Sequence, residues 1–309
     1  MTTTHVSNDV IESFEQLMAK AKSLPTRRMA VVAPYRPEVL ESVLQAERED
    51  LAHYFLVGDE TIITSVANSN GITLNPSRII HEPDASSATP RAVAMVRNGE
   101  ADLLMKGHLH TGAFLKAIMD RENGLRSNDK LLSQAGLYQK PFGKGLLIIT
   151  DCAINISPDL NDKLKILDNA ISMAHKLGWK EPRVAALAAL ETVNSNMVAT
   201  MDAALLSKMS DRGQIQGAIV DGPLGLDNAI SPEAAIGKNI KSPVAGRADI
   251  LLVPGISAGN FLHKAIAIFA KVDIAGLALG TKAPIVMTSR SDSMRSKLLS
   301  IALGCVMAD

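Results

Sequence analysis

Short, unbroken aliphatic runs recur along this 309-residue chain, most of them followed within a few residues by a stretch with helical spacing. The runs are "RRMAVVAPY", "AHYFLVGD", "SRIIHEP", "ADLLMKG", "GLLIITD", "RVAALAAL", "GAIVDGP", "ADILLVP", "AGLALG" and "PIVMTS". The helical stretches include residues 10–24, "RPEVLESVLQAERED", "SATPRAVAMVRNGE", "DLNDKLKILDNAISMAHKLG" and "NFLHKAIAIFAKV". An apolar run without polar alternation suits a strand covered on both faces, and parallel strands need a crossover that a helix supplies. The alternation therefore predicts βαβ units and an α/β fold with largely parallel sheets. The rhythm loosens between residues 112 and 142. No flexible tether, repeat or low-complexity tract interrupts the chain, so two domains would be joined by sheet-like crossings.

Composition narrows the function classes. Lys plus Arg equals Asp plus Glu at 32 each, which argues against broad electrostatic binding to nucleic acid or to an anionic membrane. Aromatic residues make up only 3%, and the aliphatic content suits strands covered by Ala-rich helices. Cys152 and Cys305 lie far apart without metal-type spacing and read as buried free thiols. The N-terminus has no basic segment followed by an apolar core, and no apolar run reaches the roughly 18 residues of a membrane span. The expectation is a soluble, cytoplasmic protein.

In parallel sheets, ligands gather where strands end and loops enter helices. Three such ends carry polar groups. In "ILLVPGISAGNFLHKAI", small residues through Gly259 and Asn260 suit close backbone approach to an anion at a helix start. An ordinary turn capped by Asn260 fits the same spacing. In "APIVMTSRSDSMRSKLLSIALG", Ser289 and Arg290 fall at a strand end, where a hydroxyl and a guanidinium can clasp a phosphate or carboxylate. With a helix starting near Ser291, Ser289, Asp292, Ser293 and Ser296 would project roughly towards one side, being three to four residues apart. Ser291 or Asp292 acting as a simple N-cap is the alternative, and the surplus of such residues favours a site.

"LLMKGHLHTGAFLKAI" places Lys106 and Thr111 at another strand end, a pattern that suits anion binding. His108 and His110 share a strand face, but no third ligand is evident, so no metal is expected. Asp221, in "IVDGPLGLDNAIS", fits a base, a metal ligand or a turn-capping residue, with turn-capping the favoured reading. No G-x-S-x-G elbow is present. The residues alone indicate an α/β protein that handles a phosphorylated small molecule or cofactor, without naming a reaction.

Together "ADLLMKGHLHTGAFLKAI", "LLIITDCAINISPDLNDKLKILDNAISMAHKLG", "IVDGPLGLDNAIS", "SPVAGRADILLVPGISAGNFLHKAI" and "APIVMTSRSDS" resemble the phosphate acetyltransferase and phosphate butyryltransferase family, with "GPLGLDNAIS" and "KAPIVMTSRSDS" closer to the butyryl branch. The resemblance implies reversible transfer of a short acyl group, acetyl or butyryl, from coenzyme A to inorganic phosphate. It implies direct transfer, with acyl-CoA and phosphate as partners, no metal, no permanently bound cofactor, and a homodimer. It also implies two α/β domains with an interdomain cleft, like those of isocitrate and isopropylmalate dehydrogenases. These would be 1–142 plus 288–309, and 143–287.

Carried over residue by residue, Ser289 and Arg290 match the family's Ser-Arg pair, which implies phosphate binding and transition-state stabilisation. A fixed donor of that kind is worth about 2.7–4 kcal/mol. Gly259 and Asn260 match the family's "AGN" and are assigned to phosphate or CoA. Lys106 and Thr111 are phosphate-side contacts by position, and Arg126 is assigned to a CoA phosphate, with a plain surface arginine as its alternative. The acetyltransferases place an aspartate seven residues after the serine, where this chain has Ser296. Asp292 is therefore assigned the role of supplying or orienting the base for the CoA thiol. Two rival readings are a metal- and nicotinamide-dependent decarboxylating dehydrogenase of the same fold and a non-catalytic CoA- or acyl-phosphate-binding regulator.

Overall fold

The computed structural model describes residues 10–127, 129–140, 144–289 and 292–308. In chain order the first elements are α1 (Phe14–Ser23), β1 (Arg27–Val32), α2 (Pro37–Arg48), β2 (Ala52–Gly58), α3 (Glu60–Ser69), β3 (Ile79–His81), α4 (Ala85–Arg97), β4 (Leu103–Lys106), α5 (Thr111–Ile118) and β5 (Ser133–Gln139). There follow β6 (Leu146–Thr150), α6 (Leu160–Lys176), β7 (Arg183–Leu187), α7 (Val198–Asp211), β8 (Ile219–Leu224), α8 (Leu226–Ile230), α9 (Pro232–Gly237) and β9 (Ile250–Leu252). The chain ends with α10 (Ile256–Ala265), β10 (Ile274–Leu279), β11 (Ile285–Val286) and α11 (Met294–Met307).

Several helix starts are set by side-chain acceptors. Asp59 caps α3, Asp84 caps α4, and Asp159 with Asp162 forms a capping box on α6. Each accepts main-chain N–H groups that the first turn leaves without an internal partner. None of the helices among the described residues is long and apolar enough to cross a membrane.

The chain divides into two compact units. Residues 17–138 with the chain from 265 onward form the first, and 139–264 with the segment up to Gln16 form the second. In the first unit the strand order is β3-β2-β1-β4-β11-β10-β5. β1, β2, β3, β4 and β11 run parallel, whereas β10 is antiparallel to both β11 and β5. In the second unit the order is β6-β9-β7-β8, all parallel. Several aliphatic runs form buried strands as expected: β4 is buried throughout, and so are β6 and β10, whereas β3 and much of β8 are only partly buried.

Three features differ from the sequence expectation. β5 lies in the stretch where the rhythm loosens, because "SQAGLYQ" carries too few aliphatic residues to read as a strand. It is nonetheless buried along most of its length, and the Tyr138 ring covers Gly136 so closely that a Cβ there would meet the phenol oxygen at 2.6 Å. Residues 265–287, expected with 143–264, instead group with 17–138, since β10 bonds to β5 and β11 bonds to β4. α11 starts later than expected: Ser293, not Ser291 or Asp292, is the N-cap and accepts from Ser296 N–H.

Each unit carries the same clasp at the amino ends of two parallel strands. Arg28, at the start of β1, holds Asp102, just before β4, through Nη2–Oδ1 at 2.8 Å, Nε–Oδ2 at 3.2 Å and its own N–H at 2.8 Å. Arg183, at the start of β7, holds Asp249, just before β9, in the same way, at 3.1, 2.9 and 3.0 Å. Burial acts to raise the Asp102 carboxyl pKa, but the bonds from Arg28 outweigh it and hold the group below its ordinary range.

The second unit also contains a buried ion pair between α6 and α7, Lys163 Nζ to Asp202 Oδ2 at 2.5 Å. Removing one partner of such a pair strands the other charge in a dry site. Asp202→Ala is expected to lower unfolding stability by about 3–5 kcal/mol, read by urea denaturation. Lys163→Met with Asp202→Leu should recover most of that loss; a single variant as stable as the parent would show that the pair is solvated.

Candidate active site

Strand order in the first unit reverses beside β1. The chain passes from β1 to β2 and β3 on one side, then returns to place β4 on the other. A reversal of this kind opens a crevice at the carboxyl ends of the two strands, because their helices leave in opposite directions. β11 lies on the far side of β4 and runs parallel to it, so a third carboxyl end is delivered to the same edge.

Main-chain bonds extend the ladder past the strand ends. Gly107 N–H donates to Val32 O and His108 N–H to Ala33 O, both at 2.8 Å. A Cβ on Gly107 would lie 2.2 Å from Val32 O and 2.3 Å from Ala33 O, so only glycine permits this approach. Beyond this contact lies a small, open concave space lined by Arg36, Glu38, Lys106, His108, Ser289 and Lys297 among others.

The lining favours an anion. Lys106 and Lys297 are 5% and 3% exposed, and Arg36 is at the surface. Lys106 Nζ lies 3.4 Å from Gly107 O. Arg36 Nε donates to His108 Nδ1 at 3.4 Å, which leaves Nε2 to carry the imidazole proton. Glu38 is the carboxylate in the lining, and Asp292 is bonded to Ser289, which lines the same space. Asp292 Oδ2 accepts Ser289 N–H at 2.6 Å, while Asp292 N–H donates to Ser289 O at 3.2 Å. Lys297 Nζ donates to the Asp292 carbonyl. Burial lowers the Lys297 pKa below the ordinary lysine value, against the charges of Asp292 and Glu38, which raise it.

The sequence-predicted residues distribute as follows. Lys106 and Ser289 line the same space, and Asp292 is bonded to Ser289. Arg290 lies outside the described residues. Thr111 is the exposed first residue of α5 and is not in the lining. Arg126 is exposed and not in the lining, and its main chain bridges to Thr281. His110 precedes α5 as its N-cap, and no group of three metal-ligating side chains occurs among the described residues.

Gly259 and Asn260 belong to the second unit, where α10 presses on the loop after β6. A Cβ on Gly259 would meet Asp151 O at 2.6 Å, and Asn260 Nδ2 donates to Cys152 O at 3.3 Å. Asp151 itself is buried; burial raises its carboxyl pKa against bonds from Ala153, Ile154 and Asn155, which lower it. Asp221 accepts Ser207 Oγ at 3.0 Å and Gly222 N–H at 2.8 Å.

Sequence reading missed Arg36, Glu38 and Lys297. Arg36 had a signal: "VVAPYRPEVL" is another strand end that turns polar just before a helix. Lys297 had a weaker one, a charged residue at the head of the otherwise apolar run Leu298–Val306.

Comparison with known proteins agrees with this geometry. The family described as "Phosphate acetyl/butaryl transferase" matches residues 84–305, a span that includes Lys106, Ser289 and Lys297. A phosphate butyryltransferase from Clostridium beijerinckii is 42% identical over 297 residues, covering 96% of this chain and 98% of that one. A phosphate acetyltransferase from Rhizobium meliloti is 41% identical over 295 residues, covering 96% and 93%. A crystal structure of a branched-chain phosphotransacylase from Enterococcus faecalis V583 superposes with a TM-score of 0.79 at 32% identity, over 92% of this chain and 99% of that one. The chain belongs to the phosphate acetyl/butaryl transferase family.

Proposed function

We propose that this protein is a phosphate acyltransferase that moves a short acyl group, acetyl or butyryl, between coenzyme A and inorganic phosphate. The observation that carries this reading is the anion-favouring space at the strand reversal, lined by Lys106 and Ser289 in a chain of this family. A phosphate oxygen attacks the thioester carbonyl carbon, the C–S bond breaks with its electron pair on sulfur, and acyl phosphate and CoA thiolate result. Reversal needs the CoA thiol deprotonated, and a thiol near pKa 8.5 is only a few per cent ionised at pH 7.

In this scheme Ser289 and Arg290 hold the phosphate and the developing oxyanion, and Lys106 adds charge from the next strand. Asp292 has one carboxylate oxygen on Ser289 N–H, and its other oxygen is the proposed acceptor for the CoA proton. Thr111, Arg126, Gly259 and Asn260 stay assigned to substrate contacts, with CoA as substrate and no permanently bound cofactor. The enzyme would act in the cytoplasm as a homodimer, for which Val198, Met201 and Leu205, exposed along one side of α7, offer apolar surface. Light scattering should then give twice the 32.9 kDa chain mass; a value equal to the chain mass overturns the dimer.

The first test is release of free thiol from acetyl-CoA and butyryl-CoA, each with and without phosphate. Phosphate-dependent release is expected, and the ratio of rates assigns the acyl preference. CoA binding without release would instead favour the regulator, and turnover with a nicotinamide nucleotide the dehydrogenase. The second test is Asp292→Asn, which keeps an acceptor for Ser289 N–H but cannot take a proton. The acyl-phosphate-consuming rate should fall by about 10²-fold at pH 7 and recover as pH rises through the thiol pKa. Full turnover at neutral pH would leave Asp292 with the turn alone.

A further inference from the structure

Lys297 sits inside the first turn and a half of α11, with 3% of its surface exposed, and it lines the anion-favouring space. An ammonium carries three N–H donors. Among the described residues its hydrogen-bond acceptor is the Asp292 carbonyl, a neutral group. The carboxylates of Asp292 and Glu38 act on it through space, and neither forms an ion pair with it among the described residues. A buried charge is costly unless it is paired, and an ammonium with donors to spare at the wall of an open space is paired by whatever anion enters. Lys106 is a second buried ammonium at the same wall.

We propose that Lys297 is a catalytic residue that binds a phosphoryl oxygen of inorganic phosphate and, in the reverse direction, of the acyl phosphate. This rests on the acyltransferase reading above. When phosphate attacks, its oxygen pair forms the new C–O bond while the C–S pair leaves on sulfur; Lys297 holds a non-reacting oxygen and neither gains nor loses a proton. When acyl phosphate is consumed, the same ammonium receives the charge that returns to the departing phosphate. Its contact is with the phosphate side of the reaction, so its removal affects phosphate and leaves CoA alone. The tie to the Asp292 carbonyl aims the ammonium and couples it to the turn that presents Ser289.

Two substitutions separate charge from tie. Lys297→Gln retains an N–H donor that can reach the Asp292 carbonyl but lacks the charge, and Lys297→Arg retains the charge. In thiol-release kinetics, K297Q is expected to raise the phosphate KM at least tenfold, about 1.4 kcal/mol, with the acyl-CoA KM within about twofold. K297R is expected to recover part of the phosphate affinity. Calorimetric titration with inorganic phosphate supplies a readout independent of turnover: wild type binds, and K297Q binds at least about tenfold more weakly. An unchanged phosphate KM in K297Q, or equal losses for phosphate and acyl-CoA in both variants, would overturn the proposal and leave Lys297 as a brace of the turn. If wild type releases no thiol, the acyltransferase reading fails by itself, and equal phosphate binding by wild type and K297Q then also removes the site.

Discussion

Parallel strands deliver all their carboxyl ends to one edge, and the active-site candidate exists because three such ends, those of β1, β4 and β11, are level there. Levelness is a matter of register, and the register of β1 against β4 is pinned at the far end by Arg28 and Asp102. A planar guanidinium fits a carboxylate in one orientation, and the added main-chain bond fixes which residue faces which. The pair is partly exposed, with side chains 44% and 30% accessible, so its direct energy is small, about 0–1 kcal/mol. Its effect is geometric: a one-residue slip would turn each side chain of the strand to the opposite face. The Arg183–Asp249 clasp does the same for β7 and β9 in the second unit.

At the carboxyl edge the constraint becomes one of space. Gly107 lets the chain after β4 lie against the carbonyls of Val32 and Ala33, which continues the pairing beyond the last strand residue. That contact keeps Lys106 at the wall of the concave space instead of letting the loop swing away. It also brings Arg36 within reach of His108. Cations thus collect where a reversal of strand order would by itself leave only an empty crevice.

Much of this was legible in the sequence, and the illegible parts share a cause. Fully buried strands announce themselves as aliphatic runs because both faces need apolar side chains, which is why β4, β6 and β10 were readable. β5 was not, because its burial rests on Gly136, Gln134 and Ser133, and on Tyr138 folding over the glycine, which are tertiary solutions without a local pattern. The same holds at the site. Lys106 and Ser289 stood out because each ends a readable strand, whereas Lys297 meets them only once α11 is placed, and a lysine in a helix reads as solvated until its neighbours are known. Gly259 shows another limit: a glycine singled out by pattern for ligand approach also makes the contact between α10 and the loop after β6. Sequence spacing identifies a close approach without saying what approaches.

The polar burst after β11 now has a physical explanation. A strand that ends at a buried Met287 must turn into α11 within a few residues, and the turn must satisfy its own main-chain groups. Asp292 takes Ser289 N–H, Ser293 takes Ser296 N–H, and Lys297 takes the Asp292 carbonyl. Each of these side chains answers a main-chain group, and two of them are charged, so the turn also sets the local field. Ser296 belongs to the same arrangement: its hydroxyl lies 3.1 Å from Ser293 Oγ, and its carbonyl accepts from Ser300 Oγ at 2.7 Å. An aspartate in place of Ser296 would bring a further negative charge to the start of α11, one position from the Lys297 ammonium, which forms no ion pair among the described residues. With serine there, the carboxylate nearest the head of α11 along the chain is Asp292, one turn earlier, where it is held by Ser289 N–H.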